Sequence, residues 1–190
     1  MRLRIGTRRS RLALAQAEEV AALLLPAGHR VELVPMTTAG DRGASPASSP
    51  TGAKGLFVGD IDDALVRGEV DLAVHSAKDL PSDDPAGLAI VAVPKRNLPY
   101  DVLVTRDPEM PERRVVGTSS LRRRAQYLRI DPRADVRDLR GNVDTRLRRL
   151  DEEIVDAVIL AAAGLDRLGA RPANVTPLPV DDMVPAPGQG

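Results

Sequence analysis

Apolar runs of strand length alternate with amphipathic stretches along the whole chain of 190 residues. Alternation of this kind, period two giving way to a period of about 3.6, is the signature of strands covered by helices, and it restricts the chain to an α/β fold. Leu3–Thr7 reads as a strand, and Leu12–Leu25 as a helix opened by Ser10 and closed near Pro26-Ala27-Gly28. Val31–Thr37 is the next strand, Leu56–Arg67 a helix ended by Gly68, and Val70–His75 a further strand. Leu88–Val93 and Asp101–Thr105 are apolar and extended, with Pro94–Pro99 crossing between two lobes. Beyond that crossing a strand–turn–helix unit recurs. Val115-Val116 leads into Ser120–Leu128, Val136–Leu139 into Val143–Leu150, and Ala157–Leu160 into Ala162–Leu168. The stretch 39–55, dense in Gly, Ser and Pro, has no periodicity and reads as a lid or a disordered loop.

Composition narrows the chemistry. With aromatics at only 2%, the core is left to Leu, Val, Ile and Ala. The absence of cysteine removes disulfides, thiolate nucleophiles and cysteine-bound zinc. Two histidines, His29 and His75, are too few for a histidine metal cluster, so no metal is expected. No apolar run is long enough to span a bilayer, and the start lacks the apolar stretch of a secretory signal. A cytoplasmic protein is the default expectation.

Net charge is zero, but it is unevenly spread. Residues 113–149 hold 12 arginines against Asp131, Asp135, Asp138 and Asp144, a local charge of +8. Such polarisation fits an anion-binding face, or else a solvated basic surface. Arg122-Arg123-Arg124 could belong to a nucleic-acid patch, but the neutral chain offers few aromatics for base stacking.

In open α/β sheets, ligands collect at the carboxyl ends of strands, where helix N-termini offer free N–H groups. Four such junctions carry hydroxyls and cations: Gly6–Ser10, His75–Asp79, Gly117–Arg123 and Arg140–Arg146. Hydroxyls at an N-cap orient an anion, and arginine adds a planar fork matched to carboxylate. Ser, Thr and Asn also cap helices for purely structural reasons. Asp79, beside Lys78, is the odd member. It is either a turn residue before Leu80-Pro81 or a carboxylate that stabilises a cationic intermediate or relays a proton. His75 reads equally as a packed strand-end histidine.

At these junctions the sequence closely resembles the porphobilinogen deaminase (hydroxymethylbilane synthase) family. The matching segments are Arg4–Gln16, Lys54–Val58, Ala73–Pro81, Val116–Arg123, Leu139–Leu147, Ile159–Gly169 and Pro185–Gly190. The resemblance implies two lobes like type II periplasmic-binding-protein domains with a cleft between them, and a third domain bearing a cysteine that holds a covalent dipyrromethane cofactor. On that division, residues 1–94 are domain one without its C-terminal return segment, 95–184 are domain two, and 185–190 begin the crossover back. The implied reaction deaminates porphobilinogen and condenses four such units head to tail into hydroxymethylbilane, for haem and related tetrapyrroles.

Carried over by position, Asp79 is the catalytic aspartate. Arg8, Ser10, Lys78, Thr118, Ser120, Arg122, Arg123, Arg140, Arg146 and Arg167 bind the acetate and propionate groups of cofactor and substrate. Lys54 and Phe57 flank the lid loop, and Gln16, Asp41, His75 and Ser76 complete the implied set. The expected partner is the small molecule porphobilinogen, bound by a monomer, with neither nucleic acid nor membrane involved. A chain without cysteine cannot attach that cofactor itself, so inactivity of these residues alone is expected. The alternative expectation is a non-catalytic module that clamps a small carboxylate.

Overall fold

The computed structural model describes residues 1–44, 52–82, 86–109 and 111–190, and the side chains of residues 52–54 also lie outside the described set. The chain divides into two compact units, Met1–Lys95 and Arg96–Gly190.

Unit 1 is built on a parallel three-stranded sheet in the order β2-β1-β3. Its elements are β1 (Arg2–Arg8), α1 (Arg11–Leu24), β2 (Arg30–Met36), α2 (Gly52–Val66) and β3 (Leu72–Ala73). Helix α1 starts where it does because the Ser10 side chain accepts from Ala13 N, and it ends in a 3-10 turn, Leu25–Ala27, closed by Gly28 at φ 78°. Ile5, Ile61, Val58 and Val70 lie fully inside. Gly6 allows this close approach, since a Cβ there would sit 2.9 Å from Ile61 Cγ2 and 3.1 Å from a Val70 methyl.

Unit 2 carries a five-stranded mixed sheet in the order β6-β5-β7-β4-β8. In chain order its elements are β4 (Asp101–Thr105), β5 (Val115–Gly117), α3 (Leu121–Ile130), β6 (Asp135–Arg137), α4 (Val143–Asp151), β7 (Ala157–Ala161), α5 (Ala162–Arg167) and β8 (Asn174–Pro177). Strands β6, β5 and β7 are parallel, while β4 runs antiparallel to both β7 and β8. The two central strands are apolar throughout their interior because both faces are covered. Val102, Val104, Val158 and Leu160 enter one core, with Leu139, Leu150 and Leu165. Leu103, Ala157 and Ile159 alternate into the other, with Val116, Tyr127 and Met183.

Three segments differ from the sequence-based expectation. The strand expected over Val70–His75 contracts to Leu72–Ala73, the two residues in ladder register with β1, opposite Ile5 and Gly6, while Asp71 and Val74 each add one main-chain bond to β1 at its ends. Leu88–Val93 joins no sheet among the described residues, and Ile90, Val91 and Val93 are 56, 81 and 74% exposed. An apolar run becomes a strand only where it meets the N–H and C=O groups of a neighbouring edge, and this run meets none among the described residues. Helix α2 starts at Gly52, so Lys54 and Gly55 are helical rather than part of the expected loop. The rest of that loop from residue 45 to 51, and the Lys54 side chain, lie outside the described residues.

Candidate functional site

In each unit most of the predicted residues lie at the carboxyl ends of its own strands or in the turns and first helical turns that follow them, while Gln16, Phe57 and Arg167 lie on helices α1, α2 and α5. In unit 1, Arg8 closes β1 and Ser10 caps α1. The Arg8 guanidinium grips Asp41, with Nε 3.2 Å from Oδ2 and Nη2 on Oδ1. The same guanidinium lies over the Phe57 ring, 4.3 Å from its centroid. Asp41 also accepts from the Thr38 hydroxyl at 2.8 Å. Burial pushes the Asp41 carboxyl up, but the bonds from Arg8 and Thr38 outweigh it and hold the group below the usual carboxylate range.

The second junction of unit 1 follows β3. Residues Ala77–Asp79 form a 3-10 turn, and the Asp79 N–H donates to Ser76 O at 2.8 Å. The Ser76 hydroxyl donates to Gln16 Oε1 at 2.9 Å, which ties this turn to α1 and so to the Ser10 junction. His75 Nε2 stands 3.2 Å from Asp62 Oδ1, both side chains largely buried. That contact packs His75 against α2 as part of the wall. Asp79 is half-buried, and its carboxylate has no hydrogen bond or ion pair among the described residues.

In unit 2, Thr118 follows β5 and is buried, its Oγ1 accepting from Ser120 N at 3.2 Å. The Ser120 hydroxyl in turn caps α3 by accepting from Arg123 N at 3.4 Å. A hydroxyl that accepts a backbone N–H keeps its own hydrogen to donate, so both can serve an anion. Leu139 crosses directly beneath this junction, where a Cβ on Gly117 would lie 2.5 Å from Leu139 Cδ2. Arg146 reaches back from α4 to Gly141 O at 2.8 Å and to the Ser119 hydroxyl at 3.3 Å. Arg140 is well exposed beside Asp138, with Nε 3.1 Å from Oδ2. Arg167 ends α5.

Two residues absent from the expected set organise this half. Asp101, the first residue of β4, is wholly buried and takes Arg122 Nη2 on Oδ2 and Arg123 Nη2 on Oδ1, each at 2.7 Å. Gln189 Nε2 also donates to Asp101 Oδ1, at 2.9 Å, and to Pro99 O at 2.8 Å. Burial pushes Asp101 up, but the Arg123 and Arg122 guanidinia more than offset this and hold it below the ordinary carboxylate value. Arg123 therefore spends its guanidinium inside the unit, whereas Arg122 keeps a side chain that is 25% exposed. Much of the +8 segment is likewise paired, as in Arg114–Asp131, Arg137–Asp135 and Arg133–Glu112. Its charge is thus spread over local pairs rather than presented as one bare face.

Strand-end hydroxyls and guanidinia on two units, each an α/β sheet covered by helices, place the chain in the two-unit α/β class. A solved structure of that fold, the probable amino-acid ABC transporter extracellular-binding protein ytmK from Bacillus subtilis, is similar in fold alone. It aligns with a TM-score of 0.53 at 10% identity, over 94% of this chain and 78% of that one. The family profile described as porphobilinogen deaminase, dipyromethane cofactor binding domain, matches residues 3–190. Porphobilinogen deaminase of Syntrophotalea carbinolica is 50% identical over 99% of this chain and 62% of its own length. That of Acidithiobacillus ferrooxidans is 52% identical over 99% of this chain and 63% of its own. The chain belongs to the porphobilinogen deaminase family, and it spans about 62% of the length of such curated relatives.

Proposed function

We propose that this chain supplies the catalytic aspartate and the carboxylate-binding residues of a hydroxymethylbilane synthase, a transferase that joins porphobilinogen units head to tail. The observation that carries this reading is the state of Asp79. Asp41, Asp62, Asp71 and Asp101 are each matched with a cationic or histidine side chain, whereas Asp79 is left without a partner among the described residues. A half-buried carboxylate without a partner, on a 3-10 turn, is suited to a positive charge that exists only during reaction.

In the reaction the aminomethyl carbon–nitrogen bond of porphobilinogen breaks and ammonia leaves. The electron pair of the pyrrole nitrogen compensates the methylene carbon, and that nitrogen becomes positive. Asp79 stabilises it. The free ring carbon of the neighbouring pyrrole then forms the new carbon–carbon bond and loses its proton.

Every pyrrole also brings an acetate and a propionate, so the binding residues must be numerous and cationic. Arg8, Ser10 and Lys78 in unit 1, and Thr118, Ser120, Arg122, Arg140, Arg146 and Arg167 in unit 2, are assigned to these groups. Arg123 acts behind Arg122 rather than on the ligand. The donors of unit 2 fit the carboxylates of a dipyrromethane, which when bound supplies the ring position from which the product grows. The chain contains no cysteine, so these residues offer that group a cradle and not its covalent bond. The same reading has the protein act as a monomer in the cytoplasm, on a small molecule rather than on nucleic acid or lipid. No helix among the described residues is long and apolar enough to cross a membrane.

The test is Asp79→Asn in the native protein that carries this sequence, assayed for porphobilinogen consumption and for its binding by calorimetry. Turnover should vanish while binding persists. Turnover at the unaltered rate would remove Asp79 from the chemistry.

A further inference from the structure

Helix α3 opens with Leu121-Arg122-Arg123-Arg124 directly after its cap at Ser120, and no acid lies in its first turn. Cations at this end oppose the helix dipole, which favours negative charge there. Such an arrangement needs a counter-charge from outside the helix, and Asp101 provides it from the head of β4, 21 residues away for Arg122. One carboxylate against two guanidinia leaves a single positive charge in excess, beside the Thr118 and Ser120 hydroxyls. Of the two arginines, Arg123 is 8% exposed and is also fastened to Ile159 O, with its Nε buried and unpartnered. Arg122 is the outer one, held by Asp101 through Nη2 and by Val184 O through Nη1.

We infer that Asp101 is a positioning residue of the binding site, one that fixes the plane of the Arg122 guanidinium for a pyrrole carboxylate, with Gln189 as its own support. The inference rests on the proposed function. Its geometry is specific. Oδ1 accepts from Arg123 and Gln189 together, so turning the carboxylate would break both bonds, and these contacts aim Oδ2 at Arg122. Gln189 is itself fully buried and fastened to Pro99 O, which anchors the whole chain of contacts in the main chain. A guanidinium already held in place loses less freedom when it meets an anion, and so binds it more tightly.

The experiment uses the native protein with Asp101→Asn, Gln189→Leu, Arg122→Ala, and Asp101→Asn combined with Arg122→Ala. Asparagine keeps the shape of the side chain but turns an amide nitrogen, or a weaker neutral oxygen, toward Arg122. KM for porphobilinogen should rise about tenfold or more, the scale of a lost charge-assisted bond, with a much smaller change in kcat. In the Arg122→Ala background the same substitution should leave KM unchanged, because Asp101 acts through Arg122. Arginine-selective 15N resonances should show the Arg122 guanidinium rigid in the unaltered protein and motionally averaged in Asp101→Asn. Should Asp101→Asn not fold, Gln189→Leu carries the test, with a smaller KM rise and partial averaging of the same resonance. An unchanged KM, an equal KM rise in both backgrounds, or a rigid Arg122 in the variants overturns the inference. A native protein that neither consumes nor binds porphobilinogen would instead sink the functional reading, and the 15N comparison would still decide whether Asp101 fixes Arg122.

Discussion

Arg123 Nη2 lies 2.7 Å from Asp101 Oδ1, with the aspartate side chain wholly withdrawn from water and the arginine nearly so. Two opposite charges at that depth are costly to desolvate, and removing one strands the other. Arg123→Ala takes away one of three donors to Asp101 and opens a gap beneath Ile159 O. It should destabilise unit 2 by about 3 kcal/mol. Denaturant unfolding measures this, and a loss below about 1 kcal/mol would mean that Arg122 and Gln189 alone satisfy the carboxylate.

Acid should attack the same place. Asp101 sits below its ordinary value of 3.8 despite its burial, because Arg123 and Arg122 favour the charged form. A lowered folded-state pKa means stability that is fully present above the unfolded value and is lost as pH falls through the folded one. Stability should therefore hold from neutrality down to the ordinary carboxylate range and decline below it. A titration of the unfolding midpoint would show this, and Asp101→Asn should flatten the decline.

The Arg4–Asp71 pair supplies a second reporter in unit 1. The bonds from the Arg4 side chain and main-chain N–H bring the Asp71 carboxyl down to about 2. Its 13C carboxyl resonance should keep its charged-state shift through the range where ordinary aspartates protonate, near 3.8, and move only near 2. Arg4→Met should return it to the ordinary value. The pair is exposed, so this change should barely alter stability.

Asp41→Asn tests whether Arg8 is held ready by its partner. With the charge gone, Arg8 loses its bidentate grip and keeps only the face of Phe57. Carboxylate affinity should change while the melting temperature moves little. An unaltered affinity would show that Asp41 serves only Thr38 and its turn.

Gly117 should tolerate no side chain. A Cβ there would meet Leu139 Cδ2 at 2.5 Å and Leu139 Cβ at 3.1 Å, so Gly117→Ala should cost about 1–3 kcal/mol. Trimming Leu139 to alanine in the same chain should recover part of that loss. Additive losses in the double variant would contradict the contact.

Local rules were sufficient for much of this structure. The caps at Ser10 and Ser120 follow from a hydroxyl placed just before an amphipathic run, and β4 and β7 from uninterrupted apolar residues. Leu88–Val93 carries the same apolar signal yet pairs with nothing described, because pairing depends on an edge elsewhere in the fold. Strand β8, Asn174–Pro177, has the opposite history: a weak local pattern recruited by the free edge of β4. In the candidate site, the positions of the Ser10 and Ser120 junctions were readable because helix N-termini draw hydroxyls. Asp101 was not, since its partners stand 21, 22 and 88 residues away. Three adjacent arginines at the start of a helix with no acid in its first turn were the available clue that a counter-charge lay elsewhere.

Phe57 is the one phenylalanine of the chain, and its ring lies beneath the Arg8 guanidinium and against Gly40, where a Cβ would come within 2.3 Å of it. A fluorine introduced on that ring by biosynthetic labelling would give a single 19F resonance for the whole protein. Its frequency would respond to the cation above it, so occupancy at Arg8 could be followed in unpurified lysate without chromophore or assay.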